Sequence, residues 1–380
     1  MKFTADCGEF YKSLQFISRG IATRTTMPIL SNILVEANDK IQLRSTNLVI
    51  SLQTSFPAQI EKSGSVAISP TQLLSLLAVN SGGVSVSVEK MMSIKVGNSR
   101  TRLSIMDASE FPMWPSVNPT FTFHKEKNTL KEIFESVEFA VAKDARRPIL
   151  TGTYFNAPHK LIVGADGIRM AMVNFGLEGD FAIVIPQQAI EEVKRLTSDE
   201  EIMEIQIGEK SSYFKLGNYE IITNHLAGEY PVQAIGRADS IKSREHSVEV
   251  KLKKDSLLKV LGIVNTFQTG LISTPLKLTC TNEIVAEIET DAGSYRDIID
   301  GEVMKGQISI LLSAPYLMDI ANQVKSELIL LMGEPHQPIL VLDPDNENWS
   351  VIQVPIAGKD NTKKWEREKQ ELDKPKGDDF

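Results

Sequence analysis

The sequence predicts an α+β fold in which one module, two helices on antiparallel sheet, occurs three times along the chain. Three observations predict this fold. Short motifs recur at a nearly constant offset along the chain. Amphipathic helical segments occur twice in each repeated stretch. Segments that alternate apolar and polar residues lie between these helices, as in sheets with one solvated face.

The internal repeat is visible in three pairs of motifs. Pro-Ile-Leu begins at Pro28 and again at Pro148, an offset of 148 − 28 = 120. Val96-Gly97-Asn98 matches Leu216-Gly217-Asn218 at 216 − 96 = 120, and Glu110-Phe111-Pro112 matches Glu229-Tyr230-Pro231 at 229 − 110 = 119. Repeated matches at nearly one offset indicate a repeated structural unit.

Each copy is predicted to open with an amphipathic helix, because apolar residues recur there at helical spacing. In the first copy these residues are Phe10, Leu14 and Ile17, and in the third they lie at positions 257, 258, 261 and 264. In the second copy the apolar face comprises Leu130, Ile133, Phe134, Val137 and Val141.

A second helix is predicted about 60 residues into each copy, over Pro70–Ala78, Pro186–Leu196 and Pro315–Val324. Proline in the first turn of a helix costs no hydrogen bond, and a serine ahead of it can cap the helix. We therefore expect Ser69 and Ser313 to be caps.

Between the helices, period-2 patterning predicts half-buried strands. The continuous apolar run Leu328–Met332 predicts a more buried strand. The alternating segments are Ile41–Ser45, Val84–Val88, Met203–Ile207 and Ile284–Ile288.

The repeat predicts three domains, residues 1–120, 121–245 and 246–357. Residues 358–380 differ in composition, with seven Lys or Arg and seven Asp or Glu among 23 residues. Such a segment cannot bury enough apolar surface to fold, so we expect a polar tail, disordered or transiently helical around residues 365–372.

Composition excludes several classes of protein. No stretch approaches the roughly 18 apolar residues of a membrane helix, and the N-terminus lacks a signal-peptide pattern, so we predict a cytoplasmic protein. Cys7 and Cys280 lack a partner motif and are expected to be buried free thiols. The net charge of −8 argues weakly against a chain coated in nucleic acid, but an acidic exterior can coexist with one basic surface.

An enzyme is the main alternative class, and the sequence argues against it. The five histidines are scattered without metal-ligand spacing, and no phosphate-binding glycine loop or nucleophile elbow is present. Asp166-Gly167 could suggest catalysis, but a turn at a strand end is the favoured interpretation. We predict no cofactor and no metal.

Three similar domains joined by short linkers suggest a curved, pseudo-symmetric body. If each junction turns the chain equally, two chains could close a ring of six units as a head-to-tail homodimer. The repeat alone leaves open that the domains are strung on linkers, although no Gly/Ser run separates them.

Residues 1–357 resemble the bacterial DNA polymerase III beta subunit family, the sliding clamps. The order, spacing and repetition of several motifs carry the resemblance. These are Met1-Lys2-Phe3-Thr4, Arg24 to Leu34, Ala165-Asp166-Gly167-Ile168-Arg169-Met170-Ala171, Gly228-Glu229-Tyr230-Pro231 and Val354-Pro355-Ile356.

The resemblance implies a non-catalytic ring of six domains that encircles duplex DNA, with helices lining the hole. In this family the polymerase, the clamp loader and repair proteins dock peptides in a groove between the second and third domains. Contacts to DNA must then be sequence-blind, so phosphates are the expected target. The alternative is a clamp-like adaptor that binds proteins but never encircles DNA.

Site residues follow from the resemblance together with charge clustering. The DNA-facing candidates are Arg24, Lys143, Arg146, Arg147, Lys194 and Arg195. The partner-peptide groove is expected to comprise Leu150, Ala165, Gly167, Ile168, Arg169, Met170, Pro231, Ile235, Ser313, Tyr316, Pro338, Val354, Pro355 and Ile356. Leu103 and Phe267 are expected at the dimer interface.

The chain departs from the family in three places. Ile168 stands where histidine is common. Pro355-Ile356-Ala357-Gly358 stands where the family often ends in Pro-Met-Arg-Leu, and 23 further residues follow Ala357. The segment leaves beside the groove and could occlude it, extend it or hang free, so partner specificity is the property that the resemblance predicts least.

Overall fold

The computed structural model describes residues 1–144, 146–196, 198, 200–233, 235–236, 246–267 and 274–356. The predicted tail, residues 358–380, therefore lies outside the described residues. The chain divides into two compact units. The first unit comprises Met1–Phe134 and Ile183–Ala227, and the second comprises Glu135–Ala182 and the chain from Gly228 onward. The second predicted domain, 121–245, contributes to both units, and the division into three domains stays a prediction.

Each predicted helix is present. The helices are α1 Cys7–Ile17, α2 Pro70–Ala78, α3 Lys127–Glu138, α4 Gln187–Arg195, α5 Lys254–Val264 and α6 Ala314–Gln323. In the first unit α1 packs against α2, and in the second α5 packs against α6. The predicted bounds agree within two residues, except that α3 ends before Val141, which is buried beyond the helix.

The strands of the described residues all pair antiparallel where a register is defined. They are β1 Lys2–Asp6, β2 Ile33–Ala37, β3 Ile41–Thr46, β4 Ile50–Phe56, β5 Gln59–Lys62, β6 Gly64–Ile68, β7 Gly83–Val88, β8 Met92–Val96, β9 Ser99–Leu103, β10 Pro119–Glu126, β11 Gly152–Asn156, β12 Leu161–Ala165, β13 Arg169–Asn174, β14 Ala182–Pro186, β15 Ile202–Gly208, β16 Ser211–Leu216, β17 Tyr219–Asn224, β18 Val248–Lys253, β19 Pro275–Cys280, β20 Ile284–Thr290, β21 Gly293–Ile298, β22 Gly301–Lys305, β23 Ile308–Ser313, β24 Glu327–Met332, β25 Ile339–Asp343 and β26 Asn346–Gln353.

The first unit contains two sheets. One has the order β5-β1-β7-β8-β9, and the other has the order β10-β15-β16-β17-β4-β3-β2-β6. In the second unit one sheet runs β11-β12-β13-β26-β25-β24-β18-β22 and another runs β21-β20-β19-β23. Strands from two copies of the module thus join one sheet in each unit, through β4 with β17 and through β13 with β26.

The repeat predicted from the motifs is also present in backbone geometry. Both Pro-Ile-Leu motifs form 3-10 turns, Pro28–Ser31 and Pro148–Leu150. The Leu30 carbonyl accepts from the Ala22 N–H at 2.8 Å, and the Leu150 carbonyl accepts from the Ala142 N–H at 3.0 Å. Equivalent residues 120 positions apart therefore make the same contact.

The repeated Gly-Asn motifs occupy equivalent hairpin turns. Gly97 lies between β8 and β9, and Gly217 lies between β16 and β17, with φ of 54° and 56°. Glycine suits both turns because positive φ is costly for residues with a Cβ.

One detail of the predicted elements is wrong. Neither Ser69 nor Ser313 makes a side-chain capping hydrogen bond, and the Ser313 side chain is instead buried. Strand β24 is the more buried strand that the apolar run predicted, because Leu328, Leu330 and Met332 are buried and Ile329 and Leu331 are half-buried.

The core of each unit is apolar and contains one buried free cysteine, Cys7 in the first unit and Cys280 in the second, as predicted. Burial raises the pKa of Cys280 to about 12, so this thiol is not a ready nucleophile at neutral pH.

The burial of His225 predicts that the stability of the first unit depends on pH. Its ring nitrogen Nε2 lies 2.8 Å from Ser212 Oγ, and burial lowers the pKa of His225 below its ordinary value. The unfolded chain therefore takes up this proton first on acidification, so stability falls as pH drops from about 6.5 through the folded pKa. We expect urea midpoints measured between pH 7.5 and pH 5.5 to fall less steeply in His225→Gln than in the wild type.

The matched control is His159→Gln, because His159 is exposed. An equal pH dependence in wild type and His225→Gln would show that this histidine does not carry the effect.

A candidate partner-binding groove and basic surface

The turn between β12 and β13 presents an apolar side chain to solvent. Gly167 has φ of 92°, and the Asp166 Oδ1 atom accepts from the backbone N–H groups of Ile168 and Arg169, both at 2.9 Å. An Asp side chain bound to the backbone two and three residues on stabilises such a turn. The turn predicted at Asp166-Gly167 is confirmed, and it leaves Ile168 45% exposed.

The last described residues lie beside this turn. The Val354 N–H donates to the Ile168 carbonyl at 2.9 Å, and the Ile356 N–H donates to the Leu311 carbonyl at 2.8 Å. Val354 is 41% exposed. Ile168 and Val354 are thus neighbouring apolar residues, both open to solvent.

Arg169 connects this turn to helix α6. Its Nε lies 3.1 Å from Asp166 Oδ2, its Nη1 lies 2.7 Å from Asp319 Oδ2, and its Nη2 donates to the Phe139 carbonyl at 2.5 Å. The guanidinium also lies 4.3 Å from the centroid of the Tyr316 ring and 5.2 Å from that of Phe139. The side chain is 5% exposed, so these contacts replace water around a buried charge.

The ring of Tyr316 is held in a fixed position by this arrangement. It is half-buried against Arg169 at the start of α6. Burial raises the pKa of Tyr316, and the charge of Asp166 adds to the effect, so the hydroxyl stays protonated at neutral pH. An aromatic ring packed on Arg169, the residue after the exposed Ile168, suits an extended peptide with a large apolar anchor.

The other predicted groove residues divide by exposure. Gly167, Pro231 and Pro338 are exposed, and Ile356 is half-buried. Pro338 precedes Ile339, which pairs with Gln353, the strand partner of Arg169. Pro231 follows Tyr230, whose ring stacks on Tyr154 at 4.1 Å. The residues buried in the chain are Leu150, Ala165, Met170, Ile235, Ser313 and Pro355.

The first unit contains an equivalent turn next to an equivalent strand end, but it lacks the ion pairs and ring contacts that Arg169 makes. Asn47 Oδ1 accepts from the N–H groups of Val49 and Ile50, Leu48 has φ of 71°, and the Asn224 N–H donates to the Val49 carbonyl at 3.1 Å. Ile50, which pairs with Thr223, occupies the place that Arg169 takes opposite Gln353. The turn therefore belongs to the repeated module, and the Arg169 network is specific to one junction.

Four of the six basic candidates lie in exposed segments before the Pro-Ile-Leu turns. Arg24, Lys143, Arg146 and Arg147 are all exposed. Arg146 is paired locally, with Nε 2.9 Å and Nη2 2.6 Å from Asp144 Oδ2, and this hydrogen bonding lowers the pKa of Asp144. Arg147 Nη1 lies 3.7 Å from the position that a Cβ on Gly167 would occupy, which places it beside the groove turn.

The remaining two basic candidates lie on helix α4. Arg195 is exposed and forms ion pairs with Glu192 at 2.8 Å and Glu191 at 3.4 Å, and Lys194 is half-buried. Glu192 is buried and also accepts from Arg19 Nε at 2.5 Å. Part of the positive charge expected here is therefore neutralised within the chain.

Sequence reasoning missed Asp319, Phe139, Arg19 and Glu192. The available signals were weak. Asp319 lies three residues after Tyr316, hence on the same face of α6, and Glu192 interrupts the buried face formed by Ala189, Ile190 and Val193. Neither pattern indicates which arginine the carboxylate would bind.

The two interface candidates lie in different units, Leu103 in the first and Phe267 in the second. Leu103 is half-buried on β9, an edge strand of its sheet. Phe267 is half-buried and stacks on Tyr295 of the edge strand β21, with centroids 6.4 Å apart. Unpaired sheet edges are ready templates for pairing with another chain.

Among the described residues, no group of three or more His, Cys, Asp or Glu side chains is arranged to hold a metal ion. None of the described helices is both long enough and apolar enough to span a bilayer.

Family models match most of the chain's first two thirds. Residues 1–115 match the N-terminal domain of the DNA polymerase III beta subunit, and residues 125–232 match its central domain. The chain belongs to the DNA polymerase III beta subunit family. The family and the sliding-clamp function predicted from the sequence are therefore confirmed.

Relatives named as beta sliding clamps align with this chain over nearly their whole length. The clamp of Buchnera aphidicola is 27% identical over 363 residues, 92% of this chain and 97% of the relative. The clamp of Chlamydia muridarum is 25% identical over 367 residues, 90% of this chain and 96% of the relative.

Solved sliding clamps share the fold. A clamp from Bartonella birtlesii has a TM-score of 0.87 at 24% identity, and a clamp from Bacillus subtilis has a TM-score of 0.87 at 21% identity. Each alignment covers 94% of this chain and 99% of the solved clamp. The predicted α+β clamp fold is confirmed.

Proposed function

We propose that two copies of this chain close head to tail into a ring of six domains around duplex DNA. The ring tethers the replicative polymerase and other replication and repair proteins in the cytoplasm and catalyses nothing itself. The observation that carries this proposal is the repeated module in a chain of the beta subunit family. A repeated module that turns equally at each junction generates a closed ring, and a ring retains DNA without a tight binding site.

The basic residues support a loose, sequence-blind contact with DNA. The chain carries a net charge of −8, so non-specific attraction to phosphates must come from local clusters. Arg24, Lys143 and Arg147 are exposed in equivalent segments of two modules, before the Pro-Ile-Leu turns. We assign these three residues the main DNA contacts and Arg146, Lys194 and Arg195 weaker ones, because carboxylates pair with two of the latter.

The edge strands support closure of the ring. We assign β9 of one copy and β21 of its partner to the contact, with Leu103 and Phe267 supplying apolar surface beside them. Arg100 and Arg102 are exposed on β9, and β21 carries the exposed Arg296 beside the half-buried Asp297, so the open edges rather than their charges support the contact. Pairing would remove both exposed edges from solvent.

The topology of the DNA tests the ring. We expect the purified chain to run at about twice its mass of 42.2 kDa. After loading by the organism's clamp loader it should remain on a closed circular plasmid and slip off once the plasmid is linearised, as measured by gel filtration of the complex. A monomer, or retention that ignores linearisation, would favour the protein-binding adaptor instead.

Lys143→Glu with Arg147→Glu should shorten retention on circular DNA in rising salt while leaving the dimer mass unchanged. The control is Lys40→Glu with Lys90→Glu, which changes the same number of charges at two exposed positions outside the proposed surface.

A further inference from the structure

We propose that residues 358–380 of this chain dock in its own groove, formed by Ile168, Tyr316 and Val354, and compete there with partner peptides. The inference rests on the proposed function, because it assigns an occupant to the same groove. It gives the segment beyond the family's usual length a role as an internal ligand.

The point of attachment supports the proposal. The backbone N–H groups of Val354 and Ile356 bond to the carbonyls of Ile168 and Leu311 at 2.9 and 2.8 Å. The described chain therefore ends two residues after Val354, which is itself a groove residue bonded to the Ile168 turn. The segment after Ile356 therefore begins close to Ile168 and Val354, the exposed side chains that a bound partner peptide would cover.

The length of the segment is sufficient. Trp365 is the ninth residue after Ile356, and an extended chain spans at most about 3.6 Å per residue, or roughly 30 Å here. A short flexible linker holds such a ligand at an effective concentration on the order of 1 mM. A tail that binds the groove with a Kd of about 0.1 mM would then weaken a competitor about tenfold.

The chemistry of the segment fits the groove. Ile168 and Val354 are 45% and 41% exposed, and Arg169, the residue after Ile168, packs on the ring of Tyr316. Residues 358–380 are polar and charged except for a few isolated large apolar residues, Trp365, Leu372 and Phe380. A single large aromatic side chain that enters an apolar trough supplies much of the energy of a peptide interface.

The charges of the segment do not oppose docking. Its seven basic and seven acidic residues give a formal net charge of zero, so it is not repelled by a chain of net charge −8. The solved clamps match over 99% of their length while covering 94% of this chain, so the fold does not require this segment. Among its apolar residues we assign the anchor to Trp365, which is the largest and the nearest to Ile356.

The test uses the full chain and two labelled probes, a synthetic peptide of residues 358–380 and a clamp-binding peptide from the organism's replicative polymerase. In Trp365→Ser the polymerase peptide should bind about tenfold more tightly than in the wild type, by fluorescence anisotropy. The control is Gln370→Ser in the same segment, which should leave the affinity unchanged. The tail peptide should bind Trp365→Ser, and this binding should be lost when Val354→Asp is added.

Each other outcome overturns a different claim. If the polymerase peptide binds wild type and Trp365→Ser equally, the tail does not occupy the groove, although the groove itself stands. If the tail peptide binds but ignores Val354→Asp, it docks on another surface, and the inference is wrong. If the polymerase peptide binds neither chain, the proposed groove is wrong and the inference fails with it.

Discussion

Val354→Asp should weaken binding of a polymerase-derived peptide at least about 30-fold. Val354 is 41% exposed beside Ile168, and its backbone N–H rather than its side chain bonds to the turn. A carboxylate there would be desolvated by an apolar anchor of the peptide, at a cost of about 2 kcal/mol, which corresponds to about 30-fold in affinity. Fluorescence anisotropy of a labelled peptide measures the change directly.

The matched control is Met304→Asp. Met304 is 53% exposed on β22 in the same unit, so the substitution adds the same charge to an equally open apolar position. Its peptide affinity should stay within twofold of the wild type. Comparable losses in both variants would mean that net charge, and not the groove, controls binding.

Arg169→Met should lower the free energy of unfolding by about 3 kcal/mol, since breaking a buried ion pair leaves a partner uncompensated. This expected loss is at the lower end of the range for breaking a buried ion pair. Asp319 is 47% exposed and can be solvated by water once Arg169 is removed, whereas Asp166 is 15% exposed and stays poorly solvated. Urea unfolding followed by tryptophan fluorescence measures it, since Trp349 is buried in the same unit and donates to the Ser136 carbonyl at 2.9 Å.

Arg195→Met provides the comparison. Arg195 is 54% exposed, and Glu192 keeps Arg19 as a partner when Arg195 is removed, so we expect a loss below about 1 kcal/mol. Arg169→Met should also weaken the polymerase peptide, because Tyr316 loses the cation that fixes its ring. Equal stability losses in the two arginine variants would contradict a special role for Arg169.

Much of the fold could be predicted from the sequence because its signals are local. A proline at a helix start, apolar residues at helical spacing and a glycine at positive φ each determine the backbone conformation of only a few neighbouring residues. For this reason α2 begins and ends at the predicted Pro70 and Ala78, and the glycines at 97 and 217 lie in matching turns. The repeat strengthened these predictions because the same signals occur at a constant offset.

The candidate site could be predicted only in part. The resemblance indicated Arg169 and Tyr316, but not that Asp319, 150 residues along the chain, would hold that arginine. Nor did the cluster of basic residues show that Asp144 binds Arg146 in two hydrogen bonds, which leaves Lys143 and Arg147 as the more available charges. The clustering of basic residues in the sequence predicted a positively charged segment, but only the side-chain geometry showed which of these charges are left to bind DNA.

The sequence by itself determined the module, its repetition and the family, since these depend on the periodicity and turn chemistry of neighbouring residues. The tertiary structure alone decided which junction became a groove. Two junctions have the same turn and the same strand pairing, but only one places an arginine opposite Gln353, where two carboxylates and two aromatic rings enclose it. The physical reason is that a buried charge needs partners on several sides at once, and only chain folding brings distant residues together around it.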